Sequence, residues 1–362
     1  MMKGQRVVFV LGNLELGGAE RQALILAKHL VDHEQADVEV WGFNRTGPVA
    51  DICEQHGIVW RVVSYATERP FDLLNVARLL RQARPDILLP YTLVPNVVCG
   101  LVWQRTGARL CVWSQRDEGI FSLAPKWQER AAELTPQFIS NSQAGARYLI
   151  EKLGVAADKV HVIPNGIEVS PPEFDRRSWR ESLDIDEASF VACMVANVHV
   201  NKDHETLLRA WRLVVDELSD AVLVLAGRHY GAYESLVELI NELGIEGSVR
   251  FTGQVNDVAG LLSAVDLGVF SSRSEGCPNG VLECMAAGLP VVGTNVEGIR
   301  EAVDDTAFLA SPADPARFAQ LILQLAKDPD LRATIGAANQ RRINKHYTAQ
   351  RMCEETVRLL AK

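Results

Sequence analysis

The sequence predicts an α/β protein built from two doubly wound parallel-sheet domains, and three observations support this. Short β-branched apolar runs alternate with longer helical patterns along most of the chain. These runs are nearly continuously apolar, which is typical of parallel strands that helices cover on both faces. The 362 residues also exceed what one core usually supports, because domains average roughly 150 residues. Two domains of this architecture are therefore expected.

The expected strands follow one another in chain order. Six are predicted in the first half, over residues 7–11, 38–43, 87–90, 110–113, 138–140 and 160–163. Five are predicted in the second half, over residues 190–196, 222–226, 249–251, 267–270 and 290–292. Between the two series lie the run Pro164-Asn165-Gly166, a Pro-Pro pair and a charged stretch, which together are typical of a linker. We therefore place the domains at residues 1–166 and 167–346, with a ligand expected between their sheet edges.

Charge and cysteine content narrow the class of protein. The formal net charge of -9 argues against a nucleic-acid-binding protein, which usually has a basic face. Residues 1–165 hold 18 Lys and Arg against 17 Asp and Glu, or +1, and the remaining 19 against 29 give -10. The seven cysteines form no C-x-x-C pair and several lie in apolar surroundings, so they are expected to be reduced core residues. The apolar run 7–11 is too short for a signal peptide, and a cytoplasmic location is expected.

A glycine turn follows the first predicted strand directly. It contains Gly17 and Gly18 and opens a helix with apolar residues at helical spacing. Glycines let a ligand approach the backbone closely, and a helix start offers free N–H groups to an anion. The turn matches neither the dinucleotide fingerprint nor a P-loop. Taken alone, it fits a phosphate site and a plain tight turn equally well.

A richer candidate site follows the strand predicted at residues 267–270. Asn279 is expected to be the N-cap of a short helix that ends at Gly288. The N–H groups of Gly280 and Val281 would then face a diphosphate. Glu275 lies before this helix and Glu283 within it, and carboxylates accept hydrogen bonds from vicinal sugar and ribose hydroxyls. Each glutamate alone is also explained as a solvated residue or as an acid that complements the helix dipole.

Taken together, residues 274–292 resemble the E-x7-E signature of retaining glycosyltransferases of family 4, the glycogen synthase-like or group 1 glycosyltransferases of the GT-B fold class. Glu275 and Glu283 match the two acids of that signature. The glycine turn at Gly17 and Gly18 and the segment 162–167 resemble two further landmarks of the family. The resemblance implies two Rossmann-like domains that face a central cleft, with a last helix of about residues 347–362 packing back onto the first. The first domain would bind the acceptor and the second the donor.

The resemblance also implies the reaction and the roles of individual residues. A sugar passes from a nucleoside diphosphate sugar to an acceptor hydroxyl with retention, and no metal or other cofactor is required. Lys202 lies where the family has its phosphate-binding lysine. Glu283 would hold the ribose, Glu275 the donor sugar, and Gly17 and Gly18 would admit the diphosphate. The sequence Asp184-Ile185-Asp186 does spell D-x-D, but its position between a helix and a strand indicates a solvated turn.

Two positions depart from the family pattern. Asn197 stands where the family commonly has an arginine, with His199 nearby. Arg116 and Asp117 follow the strand after which many members have a histidine. Arg116 can contact phosphate or an acidic acceptor and Asp117 can accept the proton of the acceptor, but an Arg–Asp surface pair is an equal alternative.

Other functions stay open at this stage. The alternatives are a sugar-nucleotide epimerase of GT-B architecture and a non-catalytic sugar-nucleotide-binding subunit. The acceptor is expected to be a glycan or a lipid-linked molecule, as in glycan, polysaccharide or glycolipid biosynthesis. Peripheral contact with the inner face of a membrane, through Lys126, Trp127 and Arg130 of the first domain, is a further expectation.

Overall fold

The structure is a computed structural model that describes residues 2–66, 70–119, 123–229, 231, 233–304 and 308–362. The chain forms two compact units. The first unit consists of Met1–Gly166 together with Ala349–Lys362, and the second of Ile167–Thr348. Within the ranges that the structure describes, no helix combines the length and the apolar character needed to cross a membrane.

The first unit is built on a seven-stranded parallel sheet with the strand order β3-β2-β1-β4-β5-β6-β7. Its strands are β1 (Arg6–Leu11), β2 (Asp37–Phe43), β3 (Val59–Val63), β4 (Ile87–Pro90), β5 (Leu110–Gln115), β6 (Gln137–Ser140) and β7 (Val160–Val162). Its helices are α1 (Gly18–Asp32), α2 (Pro48–Gln55), α3 (Pro70–Ala83), α4 (Leu93–Val102), α5 (Pro125–Leu134), α6 (Gln143–Arg147) and, at the end of the chain, α15 (Ala349–Leu360). The short turns Trp103–Arg105 and Ala157–Lys159 are 3-10 helices, and Tyr148–Lys152 is one turn of π-helix.

The central strand β1 shows why helices must cover both faces of this sheet. Its side chains alternate between two apolar clusters, with Phe9 in one and Val8 in the other. The first cluster includes residues of α1, α2 and α15, and the second includes residues of α3 and α4. A strand that is buried on both faces has to be apolar at nearly every position, which is the pattern that the sequence shows.

The second unit repeats the architecture around a six-stranded parallel sheet of order β10-β9-β8-β11-β12-β13. Its strands are β8 (Val191–Val195), β9 (Val222–Ala226), β10 (Val249–Gly253), β11 (Leu267–Phe270), β12 (Val291–Thr294) and β13 (Leu309–Ala310). Its helices are α7 (Arg176–Ser182), α8 (His204–Glu217), α9 (Tyr233–Leu243), α10 (Val258–Ser263), α11 (Asn279–Ala286), α12 (Glu297–Val303), α13 (Pro315–Lys327) and α14 (Pro329–His346). The turns Val200–Lys202 and Glu246–Ser248 are 3-10 helices.

The predicted doubly wound α/β architecture is confirmed in both units. All eleven predicted strands are present, with ends that differ by at most two residues. Two strands were not predicted. The first, β3, is an edge strand that leaves Val59 and Val62 exposed, and the second, β13, has only two residues.

All seven cysteines are free, and all except Cys277 are buried. Burial raises the pKa of Cys53 to about 11 and that of Cys193 to about 12. Thiols with such pKa values stay protonated at neutral pH and are poor nucleophiles. These two cysteines therefore contribute to the core as small apolar residues.

In each sheet the strand order reverses at one point. A ligand-binding crevice is expected at that point. The reversal lies between β1 and β4 in the first unit and between β8 and β11 in the second. The loops that leave the carboxyl ends of two such strands diverge to opposite faces of the sheet and open a crevice between them. The segments that follow β8 and β11 contain Lys202 and Glu275.

Candidate functional site

Lys202 and Glu275 meet at the reversal point of the second sheet. Lys202 ends the 3-10 turn after β8, and its Nζ lies 2.5 Å from Glu275 Oε1. The Ser272 hydroxyl donates to the same Oε1 at 2.6 Å. The Glu275 side chain is 9% exposed and that of Lys202 28% exposed, so the carboxylate is held inside while the ammonium reaches solvent. The structure thus brings together two of the predicted site residues that are distant in sequence.

A polar network joins the two loops that present this pair. Asp203 lies in the left-handed region at φ 50°, and one of its carboxylate oxygens accepts from Arg273 Nη2 at 3.1 Å. The Ser271 hydroxyl lies 3.0 Å from the carbonyl oxygen of Lys202 and 2.8 Å from that of Asp203, and Arg273 N donates to Asn201 O at 2.8 Å. These bonds link the turn after β8 to the loop after β11, and so they fix the position of Lys202 relative to Glu275.

Helix α11 begins beside this pair, one residue earlier than expected. Its N-cap is Pro278, in an extended conformation, and Asn279 is the first helical residue. The prediction that Asn279 caps the helix is therefore wrong; the proline has no N–H and a fixed φ, and it takes the last non-helical position itself. The first bond of the helix runs from Leu282 N to Pro278 O, so the N–H groups of Gly280 and Val281 precede it and have no acceptor within the helix.

Gly280 lets the start of α11 pack against the ends of the strands. A Cβ at this position would lie 2.2 Å from Val195 O and 2.9 Å from the Phe270 ring, closer than any side chain can come. The predicted anion site is therefore at the reversal point, where β8 and β11 end. Glu283 is half-buried in the second turn of the same helix, and Gly288 follows the helix at φ 76°, as a C-terminal glycine does.

Asn197 lies at the same sheet edge but has a structural bond. Its Oδ1 accepts from Arg228 N at 3.0 Å, which ties the end of β8 to the loop after β9. The neighbouring residue Val198 forms an isolated bridge with His229. An asparagine has no positive charge with which to bind a phosphate. Asn197 therefore does not supply the charge of the arginine that the family commonly has at this position.

The glycine turn of the first unit already has a carboxylate at its helix start. Gly17 is the extended N-cap of α1, and a Cβ on it would lie 2.7 Å from Glu20 Oε2. The Glu20 carboxylate accepts from the backbone N–H groups of Gly17 and of Glu20 itself, and burial raises its pKa. Gly18, the first helical residue, is exposed. An anion at Gly17 and Gly18 would therefore compete with Glu20 for the same backbone donors.

Arg116 and Asp117 follow β5 in the first unit and take different partners. The Arg116 guanidinium stacks over the Tyr91 ring at 4.6 Å, and Arg116 Nη1 lies 3.3 Å from Asn165 Oδ1. Asp117 Oδ1 accepts from Gln115 Nε2 at 2.9 Å and from Gly119 N at 2.6 Å. Burial raises the pKa of Asp117, although both hydrogen bonds lower it. The alternative of a mutual surface pair is wrong, because each side chain is oriented by other residues.

The described residues contain no cluster of three or more His, Cys, Asp or Glu side chains placed to hold a metal ion. Asp184 and Asp186, the predicted solvated turn, follow α7. Asp184 has a positive φ of 53°, and the carbonyl oxygen of Asp186 accepts from Arg180 Nη1 at 2.8 Å. The D-x-D segment is thus held in position by a hydrogen bond to its backbone.

Four residues that position the site were not predicted from the sequence. Asp203, Ser271 and Arg273 form the network between the two loops. The fourth is Gly298 of α12, where a Cβ would lie 2.2 Å from the carbonyl oxygens of both Glu275 and Gly276. The helix can therefore pack directly on the backbone that presents Glu275. No local pattern marks these residues, because their partners are distant in sequence.

Two Rossmann-like units, one with a lysine, a buried carboxylate and a helix start at its reversal point, are the arrangement of the GT-B fold class. Two family models match the chain, "Glycosyltransferase Family 4" over residues 16–170 and "Glycosyl transferases group 1" over residues 189–328. The chain belongs to the group 1 glycosyltransferases of family 4.

Relatives and solved structures agree with this family. The putative glycosyltransferase EpsD of Bacillus subtilis is 32% identical over 57% of this chain and 55% of its own. An Escherichia coli enzyme named UDP-Gal:alpha-D-GlcNAc-diphosphoundecaprenol alpha-1,3-galactosyltransferase is 23% identical over 78% of this chain and 77% of its own. The chain spans about half the length of several curated relatives that it matches.

The crystal structure of Anabaena HepE with UDP and glucose superposes with a TM-score of 0.85 over 99% of both chains, at 22% identity. Together with the two parallel sheets, this likeness confirms the predicted GT-B fold class.

Proposed function

We propose that this chain is a retaining glycosyltransferase that moves a sugar from a nucleoside diphosphate sugar to an acceptor hydroxyl without a metal ion. The observation that carries the proposal is the contact of Lys202 Nζ with Glu275 Oε1 at the reversal point of the second sheet, beside the start of α11. A cation, a buried carboxylate and helix-start N–H groups are the groups that a sugar diphosphate needs. The retention of stereochemistry and the independence of a metal ion are proposed from the family resemblance.

Each group of the second unit has a role in this proposal. The Lys202 ammonium and the N–H groups of Gly280 and Val281 stabilise the negative charge that develops on the leaving diphosphate. Glu275 accepts hydrogen bonds from hydroxyls of the donor sugar, and Glu283 from the ribose. Asn279 and Asn197 complete the donor site as neutral polar groups. Glu275 and Lys202 already form an ion pair. The charged groups of the site are therefore positioned before the donor binds.

The first unit supplies the remaining groups. Gly17 and Gly18 admit the diphosphate, and for this Glu20 has to give up its bonds to the backbone, since an ionised carboxylate there would repel a phosphate. Asp117 accepts the proton of the acceptor hydroxyl, because a carboxylate with a raised pKa is a better base at neutral pH. Arg116 orients the acceptor through guanidinium N–H groups other than the one that contacts Asn165.

The names of related proteins support the substrate classes. HepE has been crystallised with UDP-glucose, and the Escherichia coli relative is named for a UDP-galactose donor and a diphosphoundecaprenol-linked acceptor. We therefore propose a nucleoside diphosphate sugar donor and a glycan or lipid-linked acceptor, in glycan, polysaccharide or glycolipid biosynthesis. Nucleic acid is not proposed as a partner.

A lipid-linked acceptor would bring the chain to the inner face of a membrane, and we propose peripheral contact through the first unit. Helix α5 exposes Trp127, with 49% of its surface accessible. However, Arg130 Nη1 pairs with Glu133 Oε2 at 2.5 Å, and Glu129 is exposed beside Lys126. The helix therefore carries charges of both signs, and α5 gives this contact little electrostatic support.

The replacement of Glu283 by alanine is expected to weaken the binding of the donor about 10-fold or more, because a hydrogen bond to a charged group contributes about 1.5–3 kcal/mol. Isothermal titration calorimetry with a panel of nucleoside diphosphate sugars measures this loss and also identifies the base and the sugar. The matched control is Glu205→Ala, which removes an exposed acid of α8 that pairs with Arg209. Donor binding as tight in Glu283→Ala as in the wild type would contradict the ribose role.

Release of nucleoside diphosphate tests the transferase itself. The wild-type chain is expected to release nucleoside diphosphate from a bound donor when an acceptor is present. Epimerised donor in the absence of acceptor would instead indicate an epimerase. Tight donor binding with no turnover across an acceptor panel would indicate a non-catalytic sugar-nucleotide-binding subunit.

The replacement of Asp117 by asparagine is expected to lower kcat about 10²–10⁴-fold while donor affinity stays unchanged. An asparagine Oδ1 can still accept from Gln115 and Gly119, so the loop keeps its shape while the base is lost. In the wild type, kcat/KM should fall as the pH drops through the raised pKa of Asp117, because the base must be ionised. The Asn variant should lose that limb of the pH profile, and the exposed Asp158→Asn is the control. Unchanged kcat in Asp117→Asn would exclude the role.

A further inference from the structure

Helix α3 of the first unit has an arginine-rich solvent face. Leu74, Arg78 and Arg81 follow one another at spacings of four and three residues and therefore lie on one stripe of the helix. All three are exposed, Leu74 with 53% of its surface accessible. The opposite side of the helix, with Val76 and Leu80, is buried in the core. The stripe is thus free to meet a partner.

Two further arginines extend this stripe. Arg84 follows the end of α3 directly, with a positive φ of 52°, and is exposed. Arg105 is exposed in the 3-10 turn that contacts α3. We call Leu74, Arg78, Arg81, Arg84 and Arg105 the arginine face.

The arginine face lacks the ion pairs that many other helix arginines of the described chain form. Six exposed or half-exposed helix arginines pair with an acid three or four residues away: Arg130, Arg177, Arg209, Arg212, Arg351 and Arg358. The four arginines of the arginine face form no ion pair with any residue that the structure describes. The acids at the two ends of α3 have other partners, since Asp72 accepts from Ala66 N and Asp86 from Arg6 N. The face therefore has an uncompensated positive charge in a chain whose formal net charge is -9.

We propose that the arginine face docks the first unit onto an anionic lipid bilayer. Guanidinium groups bind phosphate oxygens in a bidentate fashion, so a surface of phospholipid headgroups satisfies several arginines at once. Basic residues close to an anionic leaflet each strengthen binding about fivefold, which corresponds to about 1 kcal/mol. The exposed Leu74 adds an apolar contact to the interfacial region. A leucine within the stripe favours a lipid surface, whose interfacial region accepts an apolar side chain, over a phosphate backbone, which offers a leucine no apolar contact.

The arginine face gives the proposed membrane contact a defined surface, and docking through it does not depend on transfer activity. It also moves that contact from α5, whose Arg130 is neutralised by Glu133, to α3. Membrane docking and sugar transfer are therefore separable, because no residue of the arginine face belongs to the donor site or to the acceptor site proposed above.

Co-sedimentation with vesicles tests the proposal. The full chain is mixed at low salt with vesicles of roughly one part phosphatidylglycerol to two parts phosphatidylcholine, and separately with pure phosphatidylcholine vesicles. We expect binding to the anionic vesicles only, with binding that falls as salt is added, since the Debye length shrinks to about 8 Å at physiological ionic strength. Equal binding to the neutral vesicles, or none to either, would overturn the proposal.

A matched pair of triple variants locates the surface. Arg78→Gln with Arg81→Gln and Arg84→Gln should weaken vesicle binding about 100-fold, from about fivefold for each arginine. Arg177→Gln with Arg209→Gln and Arg212→Gln removes the same charge from ion-paired positions of the second unit and should change binding less than about threefold. Equal losses in both variants would show that net charge alone is responsible and would overturn the assignment to α3. Donor affinity, measured by calorimetry, should be unchanged in both, so a failure of the donor-site proposal would be visible separately.

Discussion

Lys202→Ala is expected to lower kcat about 10²–10³-fold, with a much smaller effect on the dissociation constant of the donor. The ammonium lies at the reversal point of the second sheet and touches the buried Glu275 carboxylate, so it is fixed where, in the proposed reaction, charge develops on the leaving diphosphate. A group that acts on charge that develops in the transition state affects kcat more than ground-state binding. Steady-state release of nucleoside diphosphate gives kcat, and calorimetry gives the dissociation constant of the donor.

Two controls separate this effect from a loss of structure. Lys327→Ala removes a lysine of the same unit that pairs with Glu217 on the open surface, where both side chains are more than half exposed. Exposed pairs contribute about 0–1 kcal/mol to stability, and this variant should keep its kcat. Lys202→Arg keeps a positive charge and should retain more activity than Lys202→Ala. If Lys202→Ala kept kcat within about threefold of the wild type, leaving-group stabilisation by this residue would be excluded.

The sequence predicted the architecture well because parallel strands leave a strong local pattern. Strands such as β4 and β9 are buried on both faces, and their apolar runs gave both ends correctly. The edge strand β3 escaped prediction because it is covered less completely, and its exposed Val59 and Val62 break the uniform burial that marks the inner strands. With two residues, β13 is too short to leave any pattern.

The candidate site was predictable only where a motif is local. Glu275, Gly280 and Glu283 lie in one segment, and their spacing indicated a donor site. The bond between Asp203 and Arg273 depends on the adjacency of β8 and β11, which no local pattern in either segment encodes. The carboxylate of Glu20 at the glycine turn depends on a rotamer that a sequence pattern does not specify.

Arg180→Met is expected to lower the free energy of unfolding of the second unit by about 3–5 kcal/mol. Arg180 is 1% exposed, and its Nη1 donates to the carbonyl oxygens of Asp186, Glu187 and Ser189 at 2.8–3.0 Å. Its Nε donates to Ala264 O at 2.9 Å. Methionine fills a similar volume but leaves four carbonyl acceptors without this donor, those of Ala264 and Ser189 in buried bonds and those of Asp186 and Glu187 in part-buried ones. Each unsatisfied buried acceptor costs about 1–3 kcal/mol before the structure relaxes.

The effect should extend to the sheet of the second unit through Asp266. Arg180 Nη2 lies 3.2 Å from Asp266 Oδ2, and that oxygen also accepts from Val191 N, the first residue of β8. Without the guanidinium, the one cationic partner that Asp266 keeps among the described residues is Arg176, at 3.3 Å. Hydrogen exchange of the β8 amides under increasing urea therefore reports the loss within this unit. Arg177→Met, which removes an arginine that is 84% exposed from the same helix, should change stability by less than about 0.5 kcal/mol. A loss below about 1 kcal/mol in Arg180→Met would mean that other donors, or water, satisfy these carbonyl groups, and that α7 is held by its apolar contacts.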